Sequence, residues 1–334
     1  MNRAIPMRAG DLLPHLPAFP PSPRRPSFAR VRAPMSVANM GSGFDTFGLC
    51  LDRPADILEA RPSERPRLRV DGDDSIPTDP RRNAASVAAK AFARDFGVRW
   101  SVDLHLIKGC RGGSGIGSSG ASAVAGAVAA AALLRADVQR PAVAAALLRS
   151  AFAGEAAGSG SAHLDNVAAS LFGGFTIVES MRPQIVHRLP VPRGIRVVIG
   201  LPEYRLDTQR SRSVLPTHIP RRDAVENVAH AAALIHGIMT GDVEAIGRNM
   251  VDRIAEPYRR RLVPGLDAAA TAARRAGALG VALAGSGPSV VALTRVRRAP
   301  DVARALTRGF ARAGVPAEAL ICRAGRGAQL LERT

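Results

Sequence analysis

From Phe28 onward, apolar and polar positions trace a series of short elements. "FARVRAPMSVANMGSGFDTFGLCLDRPADILEARP" begins with a strand pattern and passes through a Gly, Ser and Asn turn. It then resumes with apolar and β-favouring residues through Leu58. "RLRVDG" predicts a short strand ending in a turn, and residues 83–96 carry apolar positions at helical spacing with Gly97 as the stop. "WSVDLHLIKG" alternates as a strand does; beyond its glycine- and serine-rich sequel, helices are predicted from about Ser118 to Arg135 and from Pro141 to Ala153. "SLFGGFTIVES" and "HRLPVPRGIRVVIGLP" read as strand-rich and are separated by Pro183. The second half predicts helices around 223–240, 242–254 and Leu266–Ala276, then strands "GVALAG" and "SVVALTR" flanking "GSGPS". A helix over Asp301–Ala313 and a last strand in "AEALICRA" complete the pattern. Strands and helices mix without a strict βαβ repeat, which predicts an α+β fold. The change of texture at Phe28 and the break at Pro183 predict a basic, proline-rich extension over 1–27 and domains over 28–182 and 183–334.

Composition narrows this picture. Apolar residues make up 46 % of the 334 but aromatics only 4 %, so Ala, Val, Leu and Ile must build the cores. The formal charge of +18 raises a nucleic-acid-binding module as one reading. Only Lys90 and Lys108 are lysines, and the arginines are scattered along the chain, which fits a GC-rich coding bias better. Cys50, Cys110 and Cys322 are too far apart for a metal cluster and odd in number, as in a reducing cytoplasm. The longest apolar run, Ala121–Leu134, is short of the about 20 residues that span a bilayer, so no membrane partner is expected. Residues 1–27 lack the continuous apolar stretch of a secretory signal.

The segment "KGCRGGSGIGSSGAS", Lys108–Ser122, lies between the alternating strand and an alanine-rich helix. Glycines let backbone amides approach oxygen atoms, and a helix N-terminus attracts phosphate through its unpaired N–H groups and dipole. No Lys follows the glycines, so the Walker loop is excluded. The G-x-G-x-x-G spacing at Gly115–Gly120 lacks the acidic residue of a dinucleotide fold. On glycines alone, a plain flexible turn is an equal reading.

The loop is one of an ordered set: "PMSVANMGSGFD", "RGGSGIGSSGAS", "GSGSAHLDNVAASLFGGF", "TQRSRSVLP", "EPYRRRLVPG" and "AGSGPSVVAL". In this order the set resembles the galactokinase, homoserine kinase, mevalonate kinase and phosphomevalonate kinase superfamily. "HLDNVAASLFGGF" with "EPYRRRLVPG" points within it to the homoserine kinase family. The resemblance covers about residues 28–334. It implies an α+β, two-domain small-molecule kinase fold, with an N-terminal half like ribosomal protein S5 domain 2 and a ferredoxin-like C-terminal half. It also implies ATP-dependent phosphorylation of the L-homoserine hydroxyl to O-phospho-L-homoserine, for threonine biosynthesis, by a cytoplasmic enzyme using Mg²⁺. No nucleic acid is expected, and a homodimer is allowed, although nothing in the sequence marks an interface.

Carried over position by position, the resemblance assigns the ATP loop to Arg111, Gly112, Gly113, Ser114, Gly115, Ile116, Gly117, Ser118, Ser119, Gly120 and Ala121, with Asn83 by the adenine end. Ser119 and Glu155 would contact magnesium, which favours oxygen ligands. Asn39, Asp45, His163, Asp165, Arg212 and Arg259 would hold the substrate, with Asp165 and Arg212 as the catalytic pair and "GSGPS" closing the site. Each has a plainer reading. Asn39 and Asp45 are common turn residues, His163 and Glu155 could be structural or solvated, and any single arginine of this chain could face water. Arg210 competes with Arg212. The chain departs from the family pattern at Arg111, where proline is usual, and at Gly120, where a small apolar residue is usual. A sister kinase for another alcohol, such as shikimate or mevalonate, is the rival within the enzyme class.

Overall fold

The computed structural model describes residues 26–160 and 163–334. The expected extension therefore lies, up to residue 25, outside the described residues. Strands β1 (Ala29–Asn39) and β2 (Gly43–Pro62) form a long antiparallel hairpin. The first half of β2 also pairs with β5 (Phe175–Met181), and its second half with β4 (Val102–Ile107). β3 (Leu68–Asp71) runs parallel to β4, and β6 (Gln184–Leu189) forms a hairpin with β5. The last strand, β11 (Gln329–Arg333), returns to pair with the outer edge of β1, completing a seven-stranded sheet.

Four helices belong to this half: α1 (Ala84–Asp95), α2 (Ser118–Leu133), α3 (Pro141–Ser159) and α4 (Leu164–Phe172). Helix α2 is buried almost throughout, and its run of alanines lets α1 and α3 close in on it. At Gly126 a Cβ would lie 2.0 Å from the Ala85 carbonyl oxygen, so this contact is backbone against backbone. A core with few aromatics is built here by close approach of helices rather than by large side chains.

The second sheet contains β7 (Ile195–Pro202), β8 (Ala278–Leu283), β9 (Val290–Arg295) and β10 (Ala317–Cys322) in the antiparallel order β10-β7-β9-β8. Counted along the chain that is fourth, first, third, second, the ferredoxin-like order that was expected. Both faces are buried. Val197 and Ile199 join the core shared with the first half, while Val198, Leu283 and Phe310 pack with α9 (Leu266–Arg275) and α10 (Ala299–Arg312). Four helices lie between β7 and α9: α5 (Thr208–Ser213), α6 (Arg221–Thr240), α7 (Val243–Arg248) and α8 (Glu256–Arg259).

The α+β class is as expected, and several elements differ from the sequence pattern. Helix α3 continues to Ser159 instead of stopping at Ala153, and α7 stops at Arg248 instead of 254. "SLF" ends helix α4, so only the second half of "SLFGGFTIVES" is strand. β11 follows "AEALICRA", and α5 and α8 are short helices that periodicity does not reveal. By pairing, β6 and β11 belong to the first sheet, so the two sheets exchange chain after Leu189 and again after Cys322.

Candidate active site

One cleft lies between the start of α2, the turn after β1, the start of α4, helices α5 and α8, and the β8–β9 turn. Its floor is the glycine-rich loop. Gly117 is the N-cap of α2 with φ of 65° and no side-chain cap, which leaves the first amides of the helix open toward the cleft. A side chain here is excluded twice, because φ is positive and a Cβ would stand 2.4 Å from Ser36 Oγ. Gly115, with φ of 82°, abuts the carbonyl of Gly287 in the β8–β9 turn, so the loop and that turn meet backbone to backbone.

The loop is anchored from beneath. Lys108, the residue that fails to follow the glycines, is buried under the start of α2. Its ammonium pairs with Asp56 and donates to Ser118 O and Ser122 Oγ. Asp56 also accepts from Gly109 N at 2.9 Å and from Ser122 Oγ at 2.6 Å, tying both ends of the loop to β2. From the far side, Leu206 N donates to Gly113 O, and Arg205 with Gly112 N converges on Asp73.

Acidic and basic groups converge at the opening of the helix. Ser119 Oγ donates to Glu155 at 2.7 Å, and Glu155 is 3 % exposed on α3. Glu155 Oε1 is 3.4 Å from His163 Nδ1. Burial alone would push the His163 imidazole down; the hydrogen bond and charge of Glu155, helped by Asp165, hold it above the usual value. Asp165 is fully buried in the first turn of α4, and desolvation raises its carboxyl to about 6 against the opposing charge of His163.

On the other wall, Asn39, Met40 and Asp45 all adopt left-handed backbone, with φ of 72°, 49° and 55°. Such strain persists only where neighbours enforce it. Asn39 does so itself, donating to Gly285 O at 3.0 Å and accepting from Asp45 N at 3.1 Å. Asp45 receives two parallel bonds from Arg212, at 3.0 and 2.7 Å, and Arg212 Nε reaches His163 Nε2 at 3.2 Å. Arg259 is 2 % exposed and donates to Ser211 O and Gly285 O. Both guanidinium groups lie near the Phe44 ring, at 5.8 and 5.3 Å. Asp252 fixes the turn into α8 by accepting from Ile254, Ala255 and Glu256 N–H groups, and Glu256 accepts from Leu283 N.

The GHMP kinase N-terminal domain model matches residues 83–174, and the GHMP kinase C-terminal model matches 231–312. The homoserine kinase of Thermococcus kodakarensis is 44 % identical over 299 residues, 90 % of this chain and 99 % of that protein. That of Pyrococcus abyssi is 41 % identical over 300 residues, covering 90 % of this chain and 98 % of its own. The chain belongs to the homoserine kinase family of GHMP kinases. A crystal structure of homoserine kinase from Cytophaga hutchinsonii superposes with a TM-score of 0.85 at 34 % identity, over 94 % of this chain and 99 % of that one. Mevalonate kinase from L. major, with a TM-score of 0.62 and 16 % identity over 90 % of this chain and 96 % of its own, shares the fold alone.

Among the residues singled out on the homoserine kinase resemblance, the cleft gathers Asn39, Asp45, Glu155, His163, Asp165, Arg212 and Arg259. It also gathers Gly112, Gly113, Ser114, Gly115, Gly117, Ser118 and Ser119. Arg210 faces solvent while Arg212, two positions on, points inward. Five expected residues do not line the cleft. Asn83 caps α1, accepting from Ala85 N and Ser86 N. Arg111 reaches to the Pro202 carbonyl, Ile116 and Ala121 are buried beneath the loop, and Gly120 packs against Asn166 and Glu155. Conversely, Asn166, Thr208 and Ser286 line the cleft without having been assigned. All three lie inside the quoted motifs, as the Asn of "HLDN", the Thr of "TQRSRS" and the first Ser of "GSGPS". His163 and Asp165 share a helix start, as the N-cap and in the first turn of α4.

Proposed function

We propose that the protein transfers the γ-phosphoryl group of ATP to the hydroxyl of L-homoserine, releasing ADP and O-phospho-L-homoserine. The observation that carries this reading is the meeting, in one cleft, of an uncapped helix N-terminus with a paired carboxylate and two arginines. The first is a phosphate cradle. The second suits an α-amino acid, whose ammonium seeks Asp45 and whose carboxylate seeks Arg212 and Arg259. In the protein alone Asp45 and Arg212 neutralise each other, and a zwitterion can take up both partners without leaving a net charge.

The amides of Gly113–Ser119 and the dipole of α2 would hold the triphosphate with its γ-phosphorus toward Asp165. The substrate oxygen then forms a bond to phosphorus as the bond to the β-phosphate oxygen breaks, and the hydroxyl proton leaves. Asp165, raised to about 6, is ionised at neutral pH and basic enough to receive that proton. Arg212 would offset charge on the transferring group. No group of three or more His, Cys, Asp or Glu side chains fit for a metal occurs among the described residues. Ser119 Oγ and Glu155, bonded beside the loop, supply the sparse oxygen set that suits Mg²⁺, which takes its remaining ligands from phosphate and water. Bound there, the ion would neutralise phosphate charge.

A cytoplasmic setting accords with three unpaired cysteines and with the absence, among the described residues, of a helix long and apolar enough to cross a membrane. The test is ADP release with ATP and Mg²⁺ against L-homoserine, shikimate, mevalonate and galactose. Turnover dependent on homoserine is expected; turnover with another alcohol alone would overturn the substrate assignment, and salt-sensitive nucleic-acid binding without turnover would overturn the reaction.

A further inference from the structure

Asparagine is disfavoured inside a helix, because its amide competes for backbone groups. Asn227 nevertheless stands in the second turn of α6, 5 % exposed and outside the residues that line the cleft. A buried amide needs partners at both ends, and those of Asn227 come from two different segments. Its Nδ2 donates to Ser42 O at 2.8 Å, in the turn between β1 and β2. Its Oδ1 accepts from Arg253 N at 3.0 Å, on the approach to α8. One partner can only accept and the other can only donate, so the amide has a single orientation, and neither Asp nor Leu of the same size serves both.

The two segments are the substrate-side walls of the cleft. The first carries Asn39 and Asp45 and holds left-handed backbone at Asn39, Met40 and Asp45. The second carries Asp252, which orders the turn into α8, and through α8 the buried Arg259. Contacts beside Asn227 join the same two pieces. Ser42 Oγ donates to Asn249 O at 3.0 Å, and a Cβ at Gly41 would lie 2.4 Å from the Met250 carbonyl carbon.

We infer that Asn227 is a positioning residue for the amino-acid substrate, fixing the separation of Asp45 from Arg259; the inference rests on the homoserine reading above. The ammonium and carboxylate of an α-amino acid sit on one carbon. The protein gains both interactions at once only if its own carboxylate and guanidinium keep the matching separation. Strained backbone persists only while its surroundings enforce it, so a turn that loses the bond at Ser42 O relaxes. Each charge of the substrate then finds its partner singly but not both together. A ligand bearing one of the two charges makes no such demand. The phosphate cradle belongs to other segments, so ATP affinity is independent of Asn227.

The test compares KM for L-homoserine with the inhibition constants of 4-hydroxybutanoate, which lacks the ammonium, and 3-aminopropan-1-ol, which lacks the carboxylate. These constants do not depend on how much of a variant is folded. Asn227→Ala removes both bonds. Asn227→Asp keeps the shape and the bond from Arg253 N but sets an oxygen against Ser42 O. In both variants KM for homoserine should rise about 10-fold or more. The constants of the two analogues, KM for ATP and kcat should change little. An unchanged KM for homoserine in either variant, or an equal rise in KM for ATP or in the analogue constants, overturns the inference and leaves the reaction in place. A wild-type protein with no turnover of homoserine overturns the reading of the reaction and this inference with it.

Discussion

At Asp165 burial sets the chemistry. The carboxyl is raised to about 6 chiefly because desolvation penalises its charge. An acid whose folded value exceeds its unfolded value stabilises the fold most when protonated. That contribution is complete below about pH 4 and is lost as pH rises through about 6. Above pH 6 the ionised group therefore costs up to about 3 kcal/mol. Asp165→Asn should recover much of this cost in urea unfolding at pH 8 and little of it at pH 4, while turnover falls. A variant less stable at pH 8 would contradict the account. Wild-type activity should decline as pH falls through about 6, and Asp165→Asn should lose that acid limb. Arg259 tests the other wall. Removing its charge-assisted bonds should raise KM for homoserine about 10- to 100-fold, with KM for ATP little changed. Equal rises in both constants would show general disruption instead.

At the scale of elements, the glycine loop works because its backbone is held while its amides stay open. Gly117→Ala forces a Cβ against Ser36 Oγ at positive φ. It should cost about 1–3 kcal/mol of stability and raise KM for ATP more than KM for homoserine. Asp56→Ala leaves the Lys108 ammonium buried and unpaired, so it should destabilise by about 3–5 kcal/mol in chemical unfolding. A neutral result would mean that the pair does not anchor the loop. The loop was legible only in company: its glycines alone read equally well as a flexible turn, and the ordered motifs around it decided between the two. Helix α4 was not. Its N-cap is His163, which makes no side-chain cap, so the usual start signal is missing and "SLFGGF" merges with the strand that follows. Helix α5 did carry a signal, Asp207 capping Gln209 N and Arg210 N, but its six residues are too few for a period. The role of Lys108 was hidden for another reason. Its partner Asp56 lies 52 positions earlier, and only strand pairing brings the two together.

Across the whole molecule, function depends on two sheets closing on one cleft. Gly285 N donates to Ala38 O, and Ser289 Oγ reaches Ser114 O, so the β8–β9 turn locks the loop and the β1 turn together. The family motifs revealed this meeting before any distance was known, because each motif places one piece of the cleft. Most of the expected pieces reach it, but not all were legible: Asn83 is taken by a helix cap and Arg111 by a carbonyl, while Asn166 and Ser286 enter. The transfer itself can be followed by ³¹P resonances of the wild-type protein and Glu155→Ala with ATP, Mg²⁺ and L-homoserine. A new phosphomonoester signal matching O-phospho-L-homoserine is expected, formed together with ADP and lowered about 100-fold or more by Glu155→Ala. Conversion of ATP to ADP and inorganic phosphate alone, or an unchanged rate in Glu155→Ala, would contradict it.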